Sequence, residues 1–175
     1  EIAARYPAAR EIFAQADAQL DLPFSKLCFD GPAEQLDETY NTQPALYITG
    51  IALLAALNAE LATRGQSPAT PANVAGHSLG ELTALTSAGA MEFGTGLKLV
   101  RERGRLMREA GEKSPGAMAA ILGLDIVTLR QLCEDACAAT GGIVVVANDN
   151  CPGQLVISGD KAAVERAVEI AKAKG

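Results

Sequence analysis

A serine between two glycines is the pattern in this chain best suited to covalent chemistry. It occurs in Gly-His-Ser-Leu-Gly at positions 76–80, after a short apolar approach at 74–75 and before a helical pattern of leucines. A Gly-x-Ser-x-Gly sequence between a strand and a helix is typical of a nucleophile elbow, in which glycines permit a sharp, strained turn. The sequence therefore predicts that the hydroxyl of Ser78 is presented as a nucleophile. The alternative is an ordinary glycine-rich turn capped by serine.

The two neighbours of the serine differ in what they can contribute. At the start of the predicted helix the N–H of Leu79 has no intrahelical acceptor, so it can face a developing oxyanion. His77 is the single histidine of the chain, and it directly precedes Ser78. Because adjacent side chains diverge at such a turn, we interpret His77 as a structural or supporting residue. It is not expected to be the base that a serine nucleophile requires.

A predicted helix over 93–112 carries four arginines, and their neighbours at helical spacing separate them. Arg105 is flanked by charged residues and belongs to a solvated face, whereas the neighbours of Arg103 are apolar and place it on the inward face. An inward arginine needs an anionic partner, because an unpaired buried charge is very costly. Two partners remain open: an internal carboxylate in a structural salt bridge, or a ligand carboxylate in a bidentate clamp.

Five segments of the chain resemble one enzyme family. Gly-His-Ser-Leu-Gly-Glu at 76–81 resembles the active-site signature of malonyl-CoA:acyl-carrier-protein transacylases and of the related acyltransferase domains of fatty-acid and polyketide synthases. The other four segments resemble that family in the expected order, over essentially the whole chain: Thr-Gln-Pro-Ala-Leu (42–46), Arg-Gly-Arg-Leu-Met (103–107), Gly-Ala-Met-Ala-Ala (116–120) and Pro-Gly-Gln-Leu-Val-Ile-Ser-Gly (152–159).

The resemblance implies catalytic roles. Ser78 is expected to form the acyl ester while the N–H of Leu79 holds the oxyanion, and Arg103 is expected to bind the free carboxylate of the malonyl group. Family members supply the base histidine, and a glutamine at the oxyanion site, from segments that are missing here. We therefore expect a piece that is truncated at both ends relative to the family and is inactive, or nearly so, in isolation.

Three further residues are expected to bind substrate. Gln43 and Met107 lie within the motifs that resemble the family, and the family places Gln43 close to the active site. Asn148 lies in a polar turn with Asn150 that would face the cleft. For Gln43, local hydrogen bonding at the start of a helix is an equal alternative, and for Asn148 the alternative is a turn residue that satisfies its own backbone.

Composition excludes several classes of function. The 175 residues carry a net charge of −6 without a Lys/Arg block, which argues against a nucleic-acid surface. The largely apolar stretch 43–59 is shorter than a membrane span and is predicted to be a buried helix, and no signal peptide is expected. Four cysteines without a Cys-x-x-Cys pair indicate reduced thiols, a cytoplasmic location and no metal site. We expect a monomer without a bound cofactor.

The elements, together with what the resemblance implies, predict an α/β fold of two domains: a partial hydrolase-like core with its nucleophile elbow (1–112) and an incomplete ferredoxin-like subdomain (113–175). Helices are predicted over 1–20, about 44–64 with Thr42 as cap, and 93–112, and the long helix 44–64 is expected to pack against the core sheet. The second domain reads β-α-β-β-α, with these predicted elements: strand 117–124, helix 125–139, strands 143–148 and 154–158, and helix 161–174.

Together these features predict an enzyme that moves a malonyl group from malonyl-CoA to the phosphopantetheine thiol of acyl carrier protein, in fatty acid biosynthesis. Coenzyme A enters as part of the substrate. Three alternatives stay open. One is a serine esterase that shares the elbow but needs no inward arginine, and another is a non-catalytic fragment or scaffold. The third is an acyltransferase domain of a polyketide synthase.

Overall fold

The computed structural model describes residues 1–174, and its contacts divide the chain into a first unit, 1–109, and a second unit that begins at Ala110. The first unit contains the helices α1 (Ile2–Arg5), α2 (Pro7–Leu20), α3 (Phe24–Asp30), α4 (Ala33–Leu36), α5 (Thr39–Thr63), α6 (Gly80–Ser87) and most of α7 (Phe93–Lys113). The second unit contains β1 (Ala117–Leu122), α8 (Ile126–Thr140), β2 (Val144–Cys151), β3 (Gln154–Gly159) and α9 (Lys161–Lys174).

The core of the first unit is formed by buried residues of α2, α3, α5 and α7, together with Leu79. Tyr47 and Ile48 of α5 are fully buried there, as is Leu97 of α7. The aromatic rings of Tyr47 and Phe93 stack with their centroids 5.6 Å apart. This packing fixes α7, which carries the arginines, against α5.

Prolines change two of the predicted helices. The helix predicted over 1–20 is interrupted, because Pro7 restricts the residue before it and Tyr6 is extended (φ −113°, ψ 112°). The helix predicted to begin after Thr42 begins earlier, at Thr39, so Pro44 lies inside it. Proline cannot donate to the carbonyl four residues back, and here Arg101 Nη1 donates to that Tyr40 carbonyl instead, at 3.2 Å.

The strand expected before the elbow is absent from the described part of the first unit. Residues 73–76 are irregular and exposed, and no strand occurs in that unit among the described residues. A strand requires a neighbouring extended segment to satisfy its backbone groups, and none lies beside 73–76. The expectation that α5 packs against a sheet is wrong in this structure for the same reason. Its other side stays open, with Leu46, Leu53 and Leu57 exposed.

Helix α5 is the one described helix that is long and apolar enough to cross a membrane, by length and composition only. The expectation that this stretch is shorter than a membrane span is therefore corrected, because the helix extends from Thr39 to Thr63. Its buried residues pack within the first unit, and Gln43 and Tyr47 make side-chain hydrogen bonds there. The core helix of a soluble protein passes the same test of length and composition.

The second unit is a three-stranded antiparallel sheet in the order β1-β3-β2, with α8 and α9 packed on one face. Its element order, β-α-β-β-α, is the predicted one. Asp125 caps α8 by accepting hydrogen bonds from the N–H groups of Val127 and Thr128, both at 2.9 Å. On the opposite face of the sheet the apolar side chains of Met118, Leu122 and others are exposed.

Candidate active site

Ser78 lies in a strained turn directly before α6. Its φ of +54° is in the left-handed region, which a serine adopts only at a cost. The chain turns so sharply that a Cβ on Gly76 would overlap the backbone of Gly80, and the N–H of Gly80 donates to the His77 carbonyl at 2.8 Å. The local geometry is that of an elbow followed by a helix, with the serine at its apex.

Leu79 places its backbone N–H beside the serine at the start of α6. The side chain of Leu79 is buried and anchors the turn in the core of the first unit. Among the hydrogen bonds of residues 1–174, none is donated by its N–H. At a helix N-terminus such a group is available to a negatively charged oxygen.

The side chain of Arg103 reaches the serine. Its Nη2 donates to Ser78 Oγ at 2.8 Å, and its Nη1 donates to Gln43 Oε1. Within the described residues Arg103 makes no ion pair with an aspartate or glutamate. Both of its partners are neutral oxygens, so the internal salt bridge that the sequence left open does not form in this part of the chain.

The position of Arg103 on α7 differs from the expected inward face. The buried stripe of the helix is formed by Leu97, Val100 and Gly104, and Leu99 is about half exposed. Arg103 therefore lies at the edge of this stripe and is only partly buried. The edge position lets its guanidinium contact a buried amide and an exposed hydroxyl at once.

A close approach of two helices brings these groups together. A Cβ on Gly104 would lie 3.0 Å from the Cα of Tyr40 and 3.1 Å from the Thr39 carbonyl oxygen. Glycine therefore allows α7 to approach the start of α5 more closely than a larger residue would. Arg103 and Gln43 lie beside this crossing.

Gln43 contacts both Met107 and Arg103. The Nε2 of Gln43 lies 3.1 Å from Met107 Sδ, while its Oε1 accepts from Arg103. Gln43 is buried, whereas Met107 is about half exposed. The structure thus brings four of the predicted site residues into one connected group: Ser78, Arg103, Gln43 and Met107.

The other arginines have separate partners. Arg105 pairs on the exposed face with Glu102, at 2.6 Å, and with Glu109, as its charged neighbours predict. Arg101 lies over the ring of Tyr40, 3.4 Å from its centroid, and donates to Asn41 Oδ1 at 2.9 Å. Burial lowers the pKa of Arg101.

Tyr47 of α5 makes hydrogen bonds to α6 and to α7, and the sequence analysis did not single it out. Its hydroxyl lies 2.8 Å from Thr86 Oγ1 at the end of α6 and donates to the Phe93 carbonyl at the start of α7, at 3.0 Å. Burial raises the pKa of this phenol. The available signal was a tyrosine within the apolar stretch of α5, because a buried hydroxyl needs a partner.

Two further predicted residues are His77, beside the nucleophile, and Asn148, in the second unit. His77 is exposed and precedes Ser78 in the turn. Asn148 belongs to the second unit and lies in β2 opposite Val156, so its predicted position in a turn is wrong. Strand β2 continues to Cys151 because it absorbs register shifts at 146–148 and 149–151, which moves the turn beyond the asparagine.

Comparisons with known proteins show the family to which the chain belongs. The family model described as "Acyl transferase domain" matches residues 3–175. The malonyl CoA-acyl carrier protein transacylases of Bacillus subtilis and Escherichia coli K12 are 46% and 45% identical to this chain over all 175 residues. The chain spans 53% and 54% of their respective lengths, so it corresponds to about half of each curated relative.

Solved structures show the same relationship. An acyl-carrier-protein S-malonyltransferase from Burkholderia pseudomallei matches 98% of this chain and 53% of its own, with a TM-score of 0.86 and 44% identity. A malonyl-transacylase solved in complex with its type II polyketide synthase acyl-carrier protein matches 99% of this chain and 53% of its own, with a TM-score of 0.86 and 39% identity. The resemblance inferred from the motifs is therefore confirmed, and the chain belongs to the acyl transferase domain family.

Proposed function

We propose that the polypeptide carrying this chain transfers a malonyl group from malonyl-CoA to the phosphopantetheine thiol of acyl carrier protein, in fatty acid biosynthesis. The observation that carries the proposal is the pairing of a strained serine with an arginine. Ser78 has a φ of +54°, and its hydroxyl accepts a hydrogen bond from Arg103, which makes no ion pair within residues 1–174.

The proposed reaction has two acyl-transfer steps. Ser78 Oγ attacks the thioester carbonyl carbon and loses its proton to a base, the C–S bond breaks, and the thiol of coenzyme A leaves with a proton. The pantetheine thiol then attacks the serine ester, its proton passes through the base to Ser78 Oγ, and the C–O bond breaks. The N–H of Leu79 supports the proposal as a donor to the oxyanion of both tetrahedral intermediates.

Arg103 has the proposed role of binding the acyl carboxylate. Its guanidinium presents several donors in a plane, which suits bidentate binding of a carboxylate. The carboxylate and the thioester carbonyl of malonyl-CoA are separated by one methylene group. A guanidinium within hydrogen-bonding distance of Ser78 Oγ therefore suits an acyl group that carries its carboxylate at this separation.

The base is proposed to come from outside these residues. His77 is the only histidine of the chain and lies next to the nucleophile in a diverging turn. A histidine from another segment would take the serine proton, as the resemblance to the family implies. Neither a metal nor a bound cofactor is part of the proposal, because the hydroxyl, the base, the N–H donor and the guanidinium supply the acyl-transfer chemistry.

The finer description of the fold is also a proposal. We infer that residues 1–112 form part of a hydrolase-like core and that residues 113–175 form an incomplete ferredoxin-like subdomain. The elbow followed by α6 supports the first inference, and the β-α-β-β-α order with the sheet order β1-β3-β2 supports the second. We further propose a cytoplasmic monomer without a membrane span that binds no nucleic acid, which is consistent with the buried side of α5 and the net charge of −6.

The test is acylation of the full-length polypeptide that contains this chain. The protein is mixed separately with malonyl-CoA and acetyl-CoA, and covalent adducts are located by mass spectrometry. We expect a malonyl adduct on Ser78 that is strongly favoured over acetyl, is absent in Ser78→Ala and loses its preference in Arg103→Ala. Absence of any adduct on Ser78 would contradict the proposal and favour a non-catalytic role. Rapid hydrolysis of neutral esters without a malonyl preference would favour an esterase.

A further inference from the structure

Gln43 has an unusual environment for a polar side chain. It is the one polar or charged residue that is buried in the described chain, with 6% of its surface exposed. Its amide oxygen accepts from Arg103 Nη1, and its amide nitrogen contacts Met107 Sδ at 3.1 Å. Burying an amide is costly unless it is hydrogen-bonded, so these two contacts account for its place in the core.

The chemistry of the two neighbours fixes which way the amide points. A guanidinium has only donors, so it must face the amide oxygen, and a thioether sulfur is a weak acceptor that suits the NH₂ group. Reversing the amide would place two sets of donors against each other. The amide of Gln43 can therefore face Arg103 in one orientation only, with its oxygen toward the guanidinium.

We propose that Gln43 is a positioning residue: it orients Arg103 for the acyl carboxylate and thereby sets the preference for carboxylated acyl groups without touching the substrate. The inference rests on the proposed function. Met107 assists by holding the NH₂ group of the amide. Because Nη1 is occupied by Gln43, the Nη2 edge of the guanidinium is the edge that faces Ser78 and the incoming acyl group.

The neutrality of glutamine is part of the inference. A carboxylate at position 43 would also accept from Arg103, but it would neutralise the guanidinium before substrate arrived. An amide oxygen orients the group and leaves its positive charge for the ligand. Glutamine therefore combines a buried acceptor with an unneutralised cation, a combination that neither glutamate nor leucine provides.

The experiment compares Gln43→Leu and Gln43→Glu in the full-length polypeptide, with Tyr47→Phe as the matched control. Tyr47→Phe removes a buried hydroxyl one turn along the same helix without altering a contact of Arg103. Acylation of Ser78 by malonyl-CoA and by acetyl-CoA is followed at several substrate concentrations. We expect Gln43→Leu to lower malonyl loading by about 10- to 100-fold, the range set by one hydrogen bond to a charged group, and to leave acetyl loading unchanged.

The two other variants separate orientation from packing. Gln43→Glu is expected to raise KM for malonyl-CoA with little change in kcat, because the guanidinium stays oriented but is neutralised. Tyr47→Phe is expected to change the loading of malonyl and of acetyl groups by the same factor. In an Arg103→Ala background, Gln43→Leu is expected to change the malonyl-to-acetyl ratio no further, because the residue acts through the arginine.

Three results would overturn the inference. An unchanged malonyl-to-acetyl ratio in both Gln43 variants, with the unsubstituted protein loading malonyl, would overturn the role of Gln43 and leave the proposed function intact. Equal losses for both acyl groups would assign Gln43 to packing alone. Absence of any adduct on the unsubstituted protein would overturn the proposed function and this inference together. If Gln43→Leu fails to fold, the near-isosteric Gln43→Glu provides the test: an unchanged KM for malonyl-CoA in that variant would overturn the inference.

Discussion

Arg103 donates a hydrogen bond from Nη2 to Ser78 Oγ over 2.8 Å, which joins a cation on α7 directly to the apex of the elbow. The two residues are 25 positions apart in the chain, and no aspartate or glutamate within residues 1–174 pairs with this guanidinium. The proposed nucleophile and the proposed carboxylate-binding group are therefore in direct contact. The following predictions test this point and the packing that maintains it.

Replacing Arg103 by lysine should damage malonyl transfer although the positive charge is kept. Lysine presents a point charge and loses the planar fork that suits a carboxylate, so we expect malonyl loading of Ser78 to fall by about 10- to 100-fold. Arg105→Lys is the matched control, because Arg105 pairs with Glu102 and Glu109 on the exposed face of the same helix. Equal effects of the two substitutions on loading rates would contradict the assignment.

The backbone strain at Ser78 should appear as a difference in the free energy of unfolding between two inactive variants. Glycine adopts a φ of +54° without the penalty that a Cβ brings, so Ser78→Gly should be more stable than Ser78→Ala by about 1–2 kcal/mol. Urea unfolding of the two proteins measures the difference, and neither should form an acyl adduct. Equal unfolding midpoints and slopes would show that the turn carries no such strain.

The close crossing of α5 and α7 should be sensitive to a single methyl group. In Gly104→Ala the new Cβ lies 3.0 Å from backbone atoms of α5, and overpacking of this kind costs about 1–3 kcal/mol. We expect a lower melting temperature together with weaker malonyl loading, since Arg103 is the neighbouring residue.

Gly111→Ala is the control for the same helix. A Cβ there meets nothing within 4 Å, so better helix propensity should raise stability by about 0.5–1 kcal/mol. Thermal unfolding should therefore shift in opposite directions for the two alanine variants. A shift of the same sign and size in both would argue against a tight crossing at Gly104.

The cysteines should differ in their reactivity with pH. Burial, and secondarily the charge of Asp17, raise the pKa of the Cys28 thiol to about 11, so this thiol stays protonated through neutral and mildly alkaline pH. Alkylation of Cys28 should rise about tenfold per pH unit from pH 7 to 10 without levelling. Mass spectrometry of iodoacetamide-treated protein gives the rate, with exposed Cys151 as the internal comparison. A plateau at Cys28 by pH 9 would contradict the raised pKa.

Local patterns predicted the strained turn at Ser78 and most of the second unit. Glycines two residues before and two residues after a serine indicate a sharp turn from local sequence alone, and Ser78 does have a positive φ in the structure. The β-α-β-β-α order was also predictable, because periodicity and an N-cap such as Asp125 act within a few residues. The largest difference in its boundaries is at the end of β2, where strand pairing absorbs bulges and the strand continues past Asn148 to Cys151.

Contacts between distant segments were not predictable from one sequence. Helical spacing gave Arg103 an inward position, but the true buried stripe depends on how α7 crosses α5, which Gly104 decides. The strand expected at 74–75 depends on a pairing partner that local sequence cannot supply. The hydrogen bond between Arg103 and Gln43 likewise joins residues 60 positions apart.

The hydroxyl of Tyr47 has a mechanical consequence. Because it bonds both to Thr86 on the helix that follows the nucleophile and to the carbonyl of Phe93 at the start of the arginine helix, α6 and α7 share one point of attachment on α5. A displacement of α5 then carries both helices in the same direction. Loss of this hydroxyl would therefore loosen the attachment of both helices together, rather than that of one helix alone.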